Sequence, residues 1–420
     1  MLNNLTIVFL SITSLVFASC TGKTTAETPS LRVVPGAERI LTEDFLPLIK
    51  NKRVGLVTNH TGLLPDGRHL VDVLFKHPEV NLTVLFGPEH GIRGDADTHV
   101  ADGKDLETGL PVISLYGKVR KPTAEMLRNV DVLIFDIQDI GARFYTYIAT
   151  MNRVLDAAAQ HNIPYIVLDR PNAIGGLYVD GPIGDSLAPV TGIGHLPVTH
   201  AMTIGELASM FNGERKIRQL QHADLIVIPM ENYNRALWYD ETGLPWIKPS
   251  PNMLTLTTAT LYPATCLLEG TNISEARGTL HPFEHIGAPW IDGEKLSEQL
   301  NSYKLEGVRF ESASYTPDSI VDGIKIYPPK FLGEKCRSAR LIVTDRNKFE
   351  SAKAGVYILH ALFALYPEKL EWREGRMDRL WGTPSVRKQL QDGKMPREIV
   401  KQWDDELEYF KKVRKKYLIY

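Results

Sequence analysis

The sequence predicts an α/β protein, a doubly wound parallel sheet followed by a second, smaller α+β domain. Two observations carry this reading. Short runs rich in β-branched and aliphatic residues recur at 53–58 (RVGLVT), 82–86 (LTVLF), 130–135 (VDVLIF), 165–168 (YIVL) and 225–228 (LIVI). Each is apolar on both faces, as strands covered by helices on both sides are, and helical-looking segments such as 143–160 and 204–212 separate them. After about residue 258 that rhythm stops.

At the N-terminus, residues 5–18 (LTIVFLSITSLVFA) are apolar but short for a membrane span, the length of a signal-peptide core. Ala18-Ser19-Cys20 comes directly after and is similar to a bacterial lipoprotein cleavage site, although the first residues carry no Lys or Arg and Phe17 stands where Leu is commoner. The expectation is a signal peptide over 1–19, a lipidated Cys20 opening a polar tether over 20–31, and an exported protein anchored at the periplasmic face of a membrane. Cys266 and Cys336 then remain, without metal-ligand spacing, and read as buried small hydrophobes.

The first folded domain is expected over 32–258. The residues just past each strand matter most, because ligands of open α/β sheets bind beyond the carboxyl ends of the strands. There the chain reads Thr58-Asn59-His60, Gly87-Pro88-Glu89-His90-Gly91, Asp136-Ile137-Gln138-Asp139 and Asp169-Arg170-Pro171-Asn172. One rim is thus supplied with Asn59, Glu89, His90, Asp136, Gln138, Asp139 and Asn172. Some such residues, Asp169 among them, serve as helix caps. Capping does not explain a glutamate in a turn between a proline and a glycine.

The second domain is expected over 259–420. It opens with a loop-rich stretch, 269–292, continues through a strand at 339–344 and a helix over about 350–366, and ends in a helix. On that last helix Ile399, Trp403, Leu407, Phe410 and Tyr417 form one apolar stripe, which reads as core.

Bulk composition narrows the function classes. Hydrophobic residues make up 43% and charged residues 23%, with a net charge of −2, so a core of normal size can be buried and no basic block invites nucleic acid. No GxGxxG comes after the first strand, and neither a GxSxG elbow nor a phosphate-loop motif occurs. No cofactor and no metal are expected; Asp95, Asp97 and His99 read as a solvated loop.

Several carboxylates at one rim suit acid–base chemistry such as glycosyl transfer to water, which typically needs two carboxyl groups. Glu89 is the leading candidate, since a partly buried glutamate can keep the proton a leaving oxygen needs. Asp136, Asp139, Glu275 and Glu284 compete for the second role, and His90 is a helper or a mere rim residue. Arginine suits bidentate capture of a carboxylate, so Arg143 and Arg277 are candidate ligand readers, and Tyr145 a candidate sugar platform.

The blocks 86–94 (FGPEHGIRG), 135–143 (FDIQDIGAR), 169–172 (DRPN), 275–279 (EARGT) and 282–290 (PFEHIGAPW) resemble those of the NamZ family of exo-β-N-acetylmuramidases, in order and spacing over nearly the whole mature chain. The resemblance implies a Rossmann-like N-terminal domain with the active site in its cleft and a C-terminal accessory domain. It also implies hydrolysis of the β-1,4 bond after a non-reducing terminal N-acetylmuramic acid in peptidoglycan fragments, with Glu89 as the catalytic glutamate. His90, Asp136 and Asp139 are the further catalytic candidates. Asn59, Arg93, Gln138, Arg143, Tyr145, Asn172, Glu275, Arg277, Thr279 and Glu284 are the candidate substrate contacts. The competing expectation is a lipoprotein that binds cell-wall glycan or peptide without cleaving it.

Overall fold

The computed structural model describes residues 31–89, 91–94, 102–184 and 193–420. The expected signal peptide, Cys20, nearly all of the tether, His90, and Asp95, Asp97 and His99 lie outside them.

A short helical turn α1 (Gly36–Arg39) precedes β1 (Arg53–Thr58), α2 (Leu70–Lys76), β2 (Asn81–Gly87), β3 (Gly103–Lys104), β4 (Pro111–Ser114) and β5 (Val132–Asp136). Then come α3 (Tyr147–His161), β6 (Tyr165–Leu168), α4 (Ile204–Ile217) and β7 (Leu225–Ile228). The seven strands form one sheet in the order β3-β4-β2-β1-β5-β6-β7, parallel throughout except for the β3–β4 pair at one edge. The central strands are buried on both faces. All five residues of β5 and the last five of β1 are inaccessible, which is why their sequences run apolar without alternation. Phe86 and Phe135 flank Val57 in register, and burying each ring contributes about 1.5–3 kcal/mol.

The chain enters the sheet at β1, winds outward to β2 and β4, then returns to β5 on the other side of β1. That reversal is the switch point where the loops after β1 and β5 diverge and leave a crevice. α4 shows how local chemistry fixes the surroundings. Thr203 and Glu206 form a capping box, and Asp169, just past β6, accepts from the Gly205 amide (2.8 Å) and the Thr203 hydroxyl (2.7 Å). Asp169 is therefore a cap.

Helix α3 starts later than its apolar pattern suggested. Residues 141–146 form a turn in which Gly141 has φ +90°, and a Cβ there would meet Asn172 Oδ1 at 2.3 Å.

The later part holds α5 (Leu256–Thr265), β8 (His285–Ala288), α6 (Gly293–Ser302), β9 (Val308–Tyr315), a small hairpin β10 (Ile320–Val321) and β11 (Ile324–Lys325), and β12 (Cys336–Val343). Five helices end the chain: α7 (Ser351–Leu365), α8 (Glu374–Trp381), α9 (Ser385–Gln391), α10 (Pro396–Lys401) and α11 (Asp404–Arg414). β8, β12 and β9 make an antiparallel sheet with β12 in the middle. The single terminal helix expected from the apolar stripe is two helices, broken at Gln402-Trp403, yet Ile399, Trp403, Leu407 and Phe410 are all buried as core.

The expected division at 258/259 falls inside α5, and one hydrophobic core joins residues from both sides of it, from Val57 and Phe135 to Leu359 and Trp381. Cys266 and Cys336 are buried free thiols. Among the described residues no helix is long and apolar enough to cross a membrane.

Candidate active site

β2 ends at Gly87, and Pro88 and Glu89 come next in a turn closed by the Gly91 amide donating to the Pro88 carbonyl (3.2 Å). The turn delivers Glu89, half-buried, into a cavity of about 200 Å³. Two hydroxyls hold its carboxylate. Thr146, at the N-cap of α3, donates to Oε2 over 3.2 Å. Tyr116, just past β4, is pushed up to about 12 by burial and by its hydrogen bond to Glu89.

The cavity wall is aromatic. Tyr145 packs edge-on against Tyr147 (centroids 5.0 Å apart) and Tyr262 (5.8 Å), and Tyr262 against Phe283 (4.8 Å). Such edge-to-face pairs add roughly 0.5–1.5 kcal/mol each beyond burial and fix the rings in place. The Tyr147 hydroxyl is tied to the Pro249 carbonyl (2.5 Å).

A charged cluster completes the lining. Glu269 is held between Arg277 Nη2 (2.6 Å) and Arg376. Burial opposes the charge on Glu269, but the two guanidiniums keep its carboxyl below the usual range. Arg277 also rests on the Phe283 ring, 5.1 Å from its centroid. Residues before the expected division (Glu89, Tyr145) and after it (Tyr262, Glu269, Arg277, Arg376) line the same cavity. The later part of the chain thus supplies part of the cavity wall.

Of the residues singled out in the sequence, Glu89, Tyr145 and Arg277 meet here. The other described ones do not, and their partners explain why. Arg143 is fully buried and donates to four backbone carbonyls, those of Pro182 (2.8 Å), Leu196 (2.5 Å), Leu380 (3.1 Å) and Trp381 (2.5 Å). It is a staple, not a ligand reader. Asp136 is inaccessible, with both oxygens gripped by Arg170 at 2.6 and 2.8 Å, so it is not a free catalytic carboxylate. Glu275 is buried against Lys330 (3.0 Å), and Glu284 against Arg340 (3.0 Å) and His281 (3.2 Å); neither lines the cavity. Thr279 donates to the Ala276 carbonyl and shapes a turn.

Asn172 spans the Met202 carbonyl and the Ile174 amide, and Gln138 donates to the Asp139 and Pro171 carbonyls. Asn59 Oδ1 accepts from the Thr61 amide and hydroxyl. These three are rim scaffolding. Arg93 is bound to Asp72 (2.8 Å) and Asp105 (2.9 Å), which hold its guanidinium above its usual range. It faces two larger crevices of about 780 and 770 Å³, neither of which contains Glu89.

Asp139 differs from the other carboxyls. It is buried and, among the described residues, accepts only from backbone amides (Gly141 at 2.8 Å) and leaves Oδ1 without a partner. Desolvation pushes it up to about 7. It does not line the cavity, although its charge reaches the buried Tyr145 hydroxyl that does.

Reading the sequence missed Tyr116, Thr146, Glu269 and Arg376. Tyr116 lies just after β4, so the strand-end argument reaches it once that short strand is recognised. Arg376 lies inside α8 with no motif around it. Among the described residues no group of three His, Cys, Asp or Glu side chains is placed to hold a metal ion.

The model described as "Exo-beta-N-acetylmuramidase NamZ, N-terminal" matches residues 54–257, and its C-terminal counterpart matches 260–420. The chain is 46% identical over 400 residues to the peptidoglycan beta-N-acetylmuramidase NamZ of Bacillus subtilis (strain 168), covering 94% of this chain and 93% of that one. Two crystal structures of DUF1343 family proteins from Bacteroides fragilis NCTC 9343 share the fold. One has a TM-score of 0.84 at 35% identity, covering 93% of this chain and 100% of that one. The other has a TM-score of 0.75 at 35% identity, covering 93% and 99%. The chain belongs to the NamZ family of exo-β-N-acetylmuramidases.

Proposed function

We propose that this protein is a glycoside hydrolase that removes N-acetylmuramic acid from the non-reducing ends of peptidoglycan fragments, with Glu89 as the central carboxyl group. The observation that carries the reading is the placement of Glu89 in a small, aromatic-walled cavity beyond the carboxyl ends of β2, β4 and β5, oriented by Thr146 and Tyr116. At about 200 Å³ the cavity is smaller than the ~300–1,000 Å³ of typical small-molecule pockets, which favours one terminal sugar over an internal stretch of glycan.

Glu89 gives its proton to the glycosidic oxygen as the bond from the anomeric carbon breaks. Water adds at that carbon and passes its proton to the Glu89 carboxylate, which restores the acid, and the free sugar leaves. The two segments matched by the family models, 54–257 and 260–420, act as one catalytic body, because both line the cavity.

Release of N-acetylmuramic acid from a disaccharide that bears it at the non-reducing end tests the proposal. Capping that end with N-acetylglucosamine should abolish release. Cleavage of the capped substrate at internal bonds would overturn exo-action, and no cleavage of either would overturn the hydrolase.

Export and anchoring through a lipidated Cys20 belong to the same proposal, supported by the short apolar stretch before Ala18-Ser19-Cys20. Wild-type protein should take up a fatty-acid label and sediment with membranes, whereas Cys20→Ala should be unlabelled, released and active. An unlabelled, unanchored wild type would overturn it.

A further inference from the structure

We infer that Arg376 and Arg277 together receive a carboxylate of the ligand, the lactyl ether carboxylate that distinguishes N-acetylmuramic acid from N-acetylglucosamine. This rests on the muramidase reading above and names the residues that decide its sugar specificity.

The first argument is charge. Two guanidiniums reach the cavity, and one carboxylate, Glu269, lies between them. Behind them Glu275 is shared between Lys330 (3.0 Å) and Arg277 Nε (3.4 Å), so the cluster holds three cations and two carboxylates. That wall therefore carries a surplus of one positive charge, which one carboxylate from a ligand neutralises.

The second is placement. The Arg277 and Arg376 side chains are 33% and 38% exposed while Glu269 is 15% exposed, so the cations face the opening and their counter-ion backs them. Arg376 is close enough to Tyr116, the hydrogen-bond partner of Glu89, to act on its hydroxyl electrostatically. Within so small a cavity, one sugar can offer its glycosidic oxygen to Glu89 and its acid to the arginines.

The third is preorganisation. The Phe283 ring, Glu269 (2.6 Å from Nη2) and Glu275 (3.4 Å from Nε) fix the Arg277 guanidinium, so little side-chain freedom is lost when a ligand carboxylate joins it. Arg376 rides on α8, whose last carbonyls, Leu380 and Trp381, are bound by buried Arg143 from the other side of the core. A cation there also suits the negative end of the helix dipole. Arg143 is thus a positioning residue for Arg376, although it never meets the ligand.

The test compares chromogenic glycosides of N-acetylmuramic acid and of its lactyl methyl ester, which differ by the charge alone. Wild-type kcat/KM should favour the acid on the order of 100-fold or more, since a site built around a charged partner rejects the analogue lacking it. Arg376→Ala should reduce that ratio roughly tenfold or more; Arg376→Lys, which keeps the charge but loses the fork, should fall between. Arg277→Ala should act in the same direction.

Equal handling of acid and ester by the wild type overturns the inference without needing any variant to fold, and so does an unchanged ratio in both alanine variants. Calorimetry with free N-acetylmuramic acid and its methyl ester separates this failure from failure of the hydrolase reading. Selective binding of the acid without cleavage of any glycoside sinks only the hydrolase. Binding of neither sugar sinks the arginine site.

Discussion

The Thr146 hydroxyl donates to Glu89 Oε2 over 3.2 Å, although Thr146 stands at the N-cap of α3, where a threonine hydroxyl ordinarily accepts an amide of its own helix. The diversion forgoes about 1 kcal/mol of helix stability. A local rule broken in favour of the carboxylate proposed as catalytic is what a site shaped by chemistry rather than folding should show.

Glu89→Gln should fold with an unchanged melting temperature and lose roughly 10²–10⁴-fold in kcat, because the amide preserves shape and cannot exchange the proton. A variant retaining a tenth of wild-type activity would remove Glu89 from the central role.

Thr146→Val and Tyr116→Phe should each lower kcat by about tenfold, the effect of losing one hydrogen bond to a charged group. Thr146→Val has a second signature. Its hydroxyl does no capping, so thermal stability should barely change, whereas a capping role would show as a loss of about 1 kcal/mol.

Arg143→Ala should lower unfolding free energy by at least ~3 kcal/mol, since four buried carbonyls lose their donor. Gly382→Ala should destabilise the same junction. Gly382 ends α8 at φ +71°, and a Cβ there would stand 2.8 Å from Gly184 Cα and 3.1 Å from Arg143 Nη2. Denaturant midpoints check both, and an unchanged midpoint in Arg143→Ala would deny it the role of staple.

The sheet was legible because its strands are buried on both faces, so their residues announce themselves without partners. Glu89 was legible because a charge between proline and glycine at a strand end has little structural reason to exist. The fates of Asp136 and Arg143 were not. Asp136 closes β5 beside β6, and only the assembled sheet brings Arg170 across to take both its oxygens. Arg143 sits in a glycine- and tyrosine-rich loop like a ligand contact, yet two of its acceptors come from Leu380 and Trp381, 237 and 238 residues along. The same docking carries Arg376 into the cavity, so neither residue's role exists before the two parts of the chain meet.

Asp139 yields a prediction about pH whose sign runs against the usual carboxylate. Burial with only backbone donors raises its folded pKa to about 7, while in the unfolded chain it titrates near the ordinary ~3.9. Between those values the native state holds a proton that the unfolded state has released. Stability therefore falls as pH rises from about 4 to about 7, by up to ~1.4 kcal/mol per pH unit for this one group, and the contribution is flat outside that window. Asp169 and Asp180 are also raised by burial, to about 7 and about 6, and slope the same way. They are present in both wild type and Asp139→Asn, so the difference between the two proteins isolates Asp139. The Asn variant keeps an acceptor for the Gly141 amide and never has to bury a charge. Relative to wild type it should be more stable at pH 8 than at pH 4, with the gap opening across that window. Denaturant unfolding of both proteins at half-unit steps of pH measures it. A difference that stays constant from pH 4 to 8 would mean that Asp139 titrates alike in the folded and unfolded chain, and that its unpartnered oxygen reaches water.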